Sequence, residues 1–297
     1  MGIVKTSTDL IRLVKNKASI PDDSSDLNTI LLETLNEELL NLLPKILKVH
    51  EEFYVVDVDT TLVSGTSSYI IPHRAIGNKL RNISIKDSNN NFTKLTEIDL
   101  EDLPDCNYNK YSFYLKRNKV VFPYTTNTGT LVMNIYLRPN ELVVNTRAAT
   151  ILAIDTDTGI ITFSATMPTH FAASINYDFV CKNSPCSILE YDKTASAINI
   201  SGKTLTFTTT DLPSDLTVGD YITISEETIV PQIPTEMISL LITNTAMNYL
   251  DSIGDFDAAA KLSKKIQKQE IDIDTIIDNR SEGTPKKVVN MNSFFRQ

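Results

Sequence analysis

The stretch ATILAIDTDTGIITFSA, residues 149–165, decides the fold class of the central part of the chain. Apolar residues, several of them β-branched, alternate with polar ones on both sides of the segment DTDTG. Alternation with a period of two is typical of a strand with one buried face, and a turn that contains glycine allows two such strands to pair. The stretch therefore predicts a β-hairpin.

Short segments of the same kind occur throughout residues 51–230. They are rich in Val, Ile, Thr, Phe and Tyr, and residues that favour turns separate them. Besides the hairpin, the clearest lie at residues 51–58, 66–72, 111–116, 119–123, 130–138, 204–210 and 220–225. Strands this short and this frequent are typical of a sandwich or a barrel, so residues 51–230 are expected to form one all-β domain.

The two ends of the chain predict helices instead, because their apolar residues recur at helical spacing. In the second of these segments a leucine returns every four residues from Leu27 to Leu47. Only a few residues around Gly254 separate the last two segments, which predicts an antiparallel helical hairpin. The four predicted helices lie at residues 7–16, 24–50, 230–254 and 255–279.

These patterns together predict an α+β protein. Both chain ends are expected to form one helical bundle, and a large all-β domain, sandwich-like or barrel-like, is inserted between them. Gly283 and Pro285 do not continue a helix, so an extended segment should follow the last one. The predicted divisions are residues 1–50 and 231–278 for the bundle, 51–230 for the β domain and 279–297 for a C-terminal arm.

The second predicted helix carries more leucine than one buried face requires. Leu32 and Leu40 lie off the main leucine stripe. A helix with two apolar faces is either central in a bundle or contacts another molecule. Burial within the bundle is the simpler interpretation, and the alternative is that Leu32 and Leu40 belong to a subunit interface.

Composition narrows the classes of function. The 297 residues carry a net charge of −9, which argues against general coating of nucleic acid, since phosphate binding needs a cationic surface. The sequence has no apolar run long enough to span a bilayer, so no membrane contact is expected. The cysteines, Cys106, Cys181 and Cys186, lack the spacing of a metal or redox pair and are expected to be free thiols in a reducing compartment.

Motifs for catalysis are missing from the sequence. It contains no phosphate-binding glycine loop, no nucleophile elbow and no HExxH pair. The histidines, His50, His73 and His170, are not at ligand spacing, and the segment DTDTG is similar to a calcium loop but lacks the closing glutamate. We therefore expect no enzyme activity, no metal and no cofactor. A hydrolase whose triad includes His73 or His170 is the alternative, because triads assemble from distant positions.

Residues 279–297, NRSEGTPKKVVNMNSFFRQ, differ in charge from the rest of the chain. They contain four basic residues and one acidic residue, a net charge of +3, so the remainder carries −12. KKVVN can form a strand, and SFF supplies two aromatic anchors. Such a segment can add to a sheet edge or fill a groove on another chain, and aromatic and arginine side chains are typical of interface hot spots. A frayed terminus is the alternative.

Several patches of the sequence resemble the head–tail connector proteins of tailed bacteriophages, also called portal adaptors or head-completion ring proteins. They are residues 233–269, the stretch IIPHRAIGNKLRNI at residues 70–83, and the hairpin. The arm is similar to the family's closing motif, R-x-E-G-x-P-K-K-[VI]-V-N. Its residues here are Arg280, Glu282, Gly283, Pro285, Lys286, Lys287, Val288, Val289 and Asn290.

The resemblance implies a structural virion protein without catalytic activity. It implies a cyclic ring, expected to be a dodecamer, that lies below the portal, connects head to tail and continues the DNA channel. The partners implied are the portal protein, tail or further ring proteins, and other copies of the chain. The arm would dock into the portal through the motif residues together with Phe294, Phe295 and Arg296.

The same resemblance places the protein in the neck of the virion, after synthesis in the cytoplasm of the bacterial host. DNA would pass through the lumen without specific binding, since an acidic wall repels phosphates. The alternative is a non-enzymatic module in which the β domain binds a ligand or glycan and the helices are only a scaffold. That alternative predicts a monomer.

Overall fold

The computed structural model describes residues 5–21, 26–49, 52–99, 111–124, 128–183 and 185–277. The chain divides into two compact units. The first unit contains Met1–His50 and Glu141–Gln297, and the second unit contains Glu51–Asn140. The division therefore falls inside the β domain that the sequence predicted.

Four helices occur in the described part of the first unit: α1 (Ser7–Ala18), α2 (Leu27–Val49), α3 (Ile238–Ser252) and α4 (Phe256–Ile277). At the start of α1 the backbone N–H and the hydroxyl of Thr6 both donate to the Asp9 carboxylate, at 3.2 and 3.1 Å. Helix α2 continues through Pro44. The four helices confirm the predicted ones, and a Gln269–Ser239 hydrogen bond of 2.8 Å shows that α3 and α4 run antiparallel.

Seventeen strands occur in the described residues. Those of the second unit are β1 (Val55–Leu62), β2 (Ser68–Ile70), β3 (Ala75–Lys86), β4 (Phe92–Lys94), β5 (Thr96–Glu97), β6 (Ser112–Lys116), β7 (Lys119–Val121) and β8 (Gly129–Leu137). Those of the first unit are β9 (Glu141–Leu142), β10 (Ala149–Asp155), β11 (Ile160–Phe163), β12 (Asn176–Val180), β13 (Ile188–Thr194), β14 (Ala197–Asn199), β15 (Thr204–Thr206), β16 (Tyr221–Ile224) and β17 (Glu227–Thr228).

The first unit contains a seven-stranded antiparallel sheet in the order β13-β12-β16-β10-β11-β15-β14. Strands β10 and β11 pair as the hairpin that the sequence predicted, with Asp155 opposite Ile160. Gly159 has φ +72°, and a Cβ on it would lie 2.1 Å from the carbonyl oxygen of Phe207, so only glycine fits this turn. Strands β9 and β17 form a separate parallel pair.

An aromatic cluster fills the core of the seven-stranded sheet. The rings of Phe171 and Tyr177 pack edge to face with centroids 5.0 Å apart, and Phe207 continues the row at 5.8 Å from Tyr177. Strand alternation explains the cluster, since the inward positions of β10 and β11, Ile151 and Ile161, are buried beside these rings. Apolar burial of this kind contributes most of the stabilisation of a sheet with one covered face.

The second unit contains two four-stranded sheets, in the orders β1-β8-β3-β4 and β2-β7-β6-β5. Strand β3 pairs with β8 with a change of register between Ala75 and Leu80. Gly77 and Asn78 both adopt positive φ in this interval, which forms a bulge. Arg74, just before the strand, is buried, and its guanidinium donates to the side chain of Asn140.

The predicted fold class, an α+β helical bundle from both chain ends with one large inserted all-β domain, is wrong. In the ranges that the structure describes, the protein is mostly β, with four sheets, and the four helices do not form a bundle that is separate from the strands. Residues 141–230 belong to the same unit as the helices rather than to an inserted domain. Periodicity located the elements correctly but did not reveal which of them pack together.

Polar contacts explain why helices and strands share one unit. The Asn36 side chain of α2 accepts from the backbone N–H of Leu142 at 2.7 Å and donates to its carbonyl at 3.0 Å, so it pairs with β9 as a neighbouring strand would. At the start of α1, the Ser7 hydroxyl donates to the carbonyl of Val143, and the Ser7 N–H donates to that of Ile229. These bonds join the N-terminal helices to residues more than a hundred positions away.

Candidate docking surfaces on the helices

One face of α2 exposes apolar residues on either side of two carboxylates. Ile30, Glu33, Glu37 and Leu40 follow one another at intervals of three, four and three residues, so they share one side of the helix. Ile30 is 49% exposed and Leu40 51%. We call these four residues the acidic stripe. Leu32, which the sequence grouped with Leu40, is only partly exposed and lies outside the stripe.

The opposite side of α2 is buried and includes one charge. Leu31, Leu35 and Leu39 are at most 2% exposed. Glu38, 6% exposed, accepts hydrogen bonds from Asn41 at 3.0 Å and from Asn248 of α3 at 2.5 Å. A buried carboxylate costs free energy unless donors surround it, and these two amides supply them. The polar group therefore fixes the register of α2 against α3.

Four lysines lie along one side of α4. Lys261, Lys264, Lys265 and Lys268 follow the i, i+3, i+4, i+7 spacing of a single helix face, and all four are exposed. We call them the lysine stripe. None of the ion pairs found among the described residues includes one of them. Four adjacent cations outside those ion pairs are unusual in a chain with a net charge of −9.

A fifth lysine approaches this stripe from α1. The neighbouring amine of Lys265, together with burial, lowers the pKa of Lys17 to about 8. The side chains of Lys17 and Lys265 therefore lie close together. Such an arrangement concentrates positive charge at the contact of α1 with α4.

Exposed apolar residues lie near both ends of α4 and in the turn before it. Phe256, at the start of α4, is 67% exposed, and Ile271, near its end, is 68% exposed. Ile253, in the turn between α3 and α4, is 58% exposed. A cavity of about 330 Å³ opens beside Phe256 between the two helices and is lined by Met247 and Asp251 among others. Its few polar groups do not converge as those of a catalytic pocket do.

The predicted portal-binding residues lie outside the described residues. This applies to the whole set: Arg280, Glu282, Gly283, Pro285, Lys286, Lys287, Val288, Val289, Asn290, Phe294, Phe295 and Arg296. Their role in docking stays a prediction, as does the interface role of Leu32 and Leu40. What the structure adds is that Leu40, unlike Leu32, is half exposed.

The patch at residues 70–83 has a structural explanation. It covers the end of β2, the buried Arg74 and the bulge in β3. Arg74 also accepts, through its carbonyl, a 2.8 Å hydrogen bond from the N–H of Arg138. These residues shape the second unit, and a buried arginine with partners accounts for the motif without a binding role.

Two side chains that the sequence raised for catalysis or metal binding, His170 and Asp155, have structural partners. The Nε2 of His170 lies 3.1 Å from the carbonyl oxygen of Arg147, which is not a triad partner. Asp155 in the segment DTDTG accepts the N–H groups of Asp157 and Thr158 at 3.1 and 3.2 Å, as a turn residue does. In the described part of the chain, no three His, Cys, Asp or Glu side chains are grouped to hold a metal ion.

The two described cysteines, Cys181 and Cys186, carry free thiols. Burial raises the pKa of Cys186 to about 12, with a smaller contribution from Cys181. A thiol with such a high pKa is a poor nucleophile at neutral pH, because the reactive form is the thiolate. Cys186 therefore serves packing rather than chemistry.

Comparison with known proteins found no match for this chain, neither to a family model nor to a curated protein. Within the described ranges, none of the helices combines the length and the apolar character that crossing a membrane requires.

The lysine stripe is the feature that sequence reasoning did not single out. Its spacing was visible in KLSKKIQK, residues 261–268, but helical lysines usually cover a solvated face. Only the structure shows that Lys17 meets Lys265 from another helix and that the ion pairs of the described residues leave the stripe charged.

Proposed function

We propose that this chain is a structural protein of the neck of a tailed bacteriophage. It forms a ring below the portal that connects head to tail and continues the DNA channel. The arm at residues 279–297 docks into the portal protein. Tail or further ring proteins are the other partners.

The observation that carries the proposal is the pair of different exposed surfaces on the helices of one unit. A cyclic ring of identical subunits uses heterologous contacts, so each subunit needs two unlike faces. The acidic stripe exposes Ile30 and Leu40 around carboxylates, whereas α4 exposes Ile271 beside lysines. Apolar side chains that are exposed in the single chain gain free energy when another molecule covers them.

The sequence of the arm supports the portal as partner. The motif from Arg280 to Asn290 begins just after α4, so the hairpin of α3 and α4 would present it. An extended segment with aromatic anchors can add to a sheet or fill a groove on another chain. The aromatic pair Phe294 and Phe295 would supply the anchors.

The test is a binding assay between this chain and the portal protein of the same virus. Deletion of residues 283–297 should abolish binding, while the circular dichroism spectrum and the unfolding midpoint of the remaining body stay unchanged. The double variant Phe294→Ala/Phe295→Ala should weaken binding at least about tenfold, since hot-spot aromatics each contribute more than about 1.4 kcal/mol.

A matched control is Phe92→Ala, which removes an aromatic ring that is 62% exposed in the second unit. It should leave portal binding unchanged. Full binding by the deletion variant would show that the arm is not the docking element. Failure of the intact chain to bind any portal or tail component would sink the proposed function itself.

A further inference from the structure

The two stripes on the helices are complementary to each other in charge. The acidic stripe has two carboxylates, Glu33 and Glu37, between two apolar residues. The lysine stripe has four cations, and Ile271 follows Lys268 at i+3 on the same side of α4. Both sets are exposed, and no ion pair found among the described residues uses Glu33, Glu37 or a stripe lysine.

The lengths of the two stripes are compatible. A helix rises about 1.5 Å per residue, so Ile30 and Leu40 lie about 15 Å apart along α2, and Lys261 and Ile271 lie about 15 Å apart along α4. The carboxylates on α2 therefore fall within the span of the lysines when the two helices lie side by side.

We propose that the acidic stripe of one copy of this chain docks onto the lysine stripe of a second copy. The contact is heterologous, because each copy uses α2 on one side and α4 on the other, and it can therefore propagate around a ring. The inference rests on the proposed function in one respect: it names the subunit contact that such a ring would use. Complementary charges align the partners, and the apolar residues supply burial.

The observations favour a second copy over a nucleic acid. A polyanion would bind the lysines but would leave the neighbouring Ile271 in contact with phosphates, where an apolar side chain gains nothing. The net charge of −9 also opposes phosphate binding. A second copy satisfies both sets of residues, since it carries the carboxylates and the apolar residues on one face of α2.

The experiment measures self-association by sedimentation velocity as a function of protein and salt concentration. The wild-type chain should associate, and added salt should weaken the association because exposed charges are screened. Glu33→Lys/Glu37→Lys and Lys264→Glu/Lys268→Glu should each weaken it about tenfold or more, since each variant places like charges opposite one another. The variant that combines all four changes should regain association to within a few-fold of wild type, because the charges are then exchanged but still complementary.

The control is Lys116→Glu/Lys119→Glu, which makes the same change of net charge on two exposed lysines of the second unit. It should associate as the wild type does. A nucleic-acid role would appear as binding of a DNA duplex that only the Lys264→Glu/Lys268→Glu variant loses, with self-association unaffected. That result would overturn the inference, and so would a wild type that stays monomeric at about 100 µM.

The two proposals fail in different ways. If the combined variant does not regain association while the arm still binds the portal, the stripe contact is wrong and the proposed function stands. If the stripes behave as expected but the chain binds no portal component, the subunit contact stands and the phage role fails.

Discussion

Each side of α2 carries residues that depart from the usual amphipathic pattern. On the inner side Glu38 is buried and Asn36 partly buried, and both have partners: Glu38 accepts from Asn248, and Asn36 pairs with the backbone of Leu142. On the outer side Ile30 and Leu40 are about half exposed. These residues are exceptions on a helix that otherwise follows the usual pattern, with most leucines buried and most charged residues exposed.

The difference separates two kinds of specificity. Buried polar groups that have partners fix how an element packs, because any other register leaves them unpaired. Exposed apolar groups contribute little to the folded monomer and gain burial only when another molecule covers them. The inner side of α2 therefore determines the fold of the first unit, and the outer side is available for association.

Two adjacent leucines give the largest expected contrast. Leu39 is 2% exposed and Leu40 is 51% exposed. Leu39→Ala should lower the free energy of unfolding by about 2–5 kcal/mol, since it leaves a cavity in the core. Leu40→Ala should lower it by less than about 1 kcal/mol, because the side chain is half in water already. Urea unfolding of both variants measures the contrast.

The same two leucines should differ in the opposite direction when self-association is measured. Leu40→Ala should weaken association in sedimentation velocity, whereas any Leu39→Ala protein that is still folded should associate like the wild type. Equal losses of stability for the two variants would mean that the two sides of α2 do not differ as described.

The next largest effect should come from Asn36. Asn36→Ala removes both hydrogen bonds to Leu142, a residue that is 1% exposed, and leaves its N–H and carbonyl without these partners. Unpaired buried backbone groups are costly, so the free energy of unfolding should fall by about 2 kcal/mol. Thr29→Ala, a change at an exposed position of the same helix, should alter it by less than about 0.5 kcal/mol. Indistinguishable unfolding curves for the two variants would show that Asn36 does not hold β9.

Asn36 also shows why the fold class was predicted wrongly. Leucine spacing located α2, and alternation located β10 and β11, because both signals are local. The bond between Asn36 and Leu142 joins residues 106 positions apart, and nothing in the pattern of either segment indicates it. The inserted domain was predicted to include residues 141–230 for the same reason. Strands with the same local pattern need not belong to the same unit.

The candidate surfaces, like the fold, were predicted from the sequence only in part. Leu40 was identified from the sequence because an apolar residue off the main stripe is a local signal. The exposure of Leu40 could not be predicted from this signal, because Leu32 gives the same signal and is only partly exposed. The approach of Lys17 to Lys265 depends on how α1 packs near α4, and packing is a tertiary property that periodicity does not encode.

The smallest effect expected is a pH dependence of stability caused by Lys17. Its pKa is about 8 in the folded chain and 10.5 ordinarily, so between these values the unfolded chain binds more protons than the folded one. Stability of the wild type therefore rises with pH across this window, and the destabilisation is complete below pH 8. The substitution Lys17→Gln removes this destabilisation. The variant should be more stable than wild type at pH 7, by less than about 1 kcal/mol because solvent screens a partly exposed amine.

The advantage of Lys17→Gln should shrink as the pH rises from 8 and vanish above about 10.5, where the lysine is neutral in both states. Thermal unfolding of both proteins at several pH values measures this difference, and titrations common to both cancel in the comparison. Lys268→Gln removes a charge from the same stripe without removing the contact between Lys17 and Lys265, so its difference from wild type should change little over the window. If the stability advantage of Lys17→Gln stays constant to about pH 11, repulsion between the two lysines is not its cause. The charge where α1 meets α4 would then not weaken the isolated subunit.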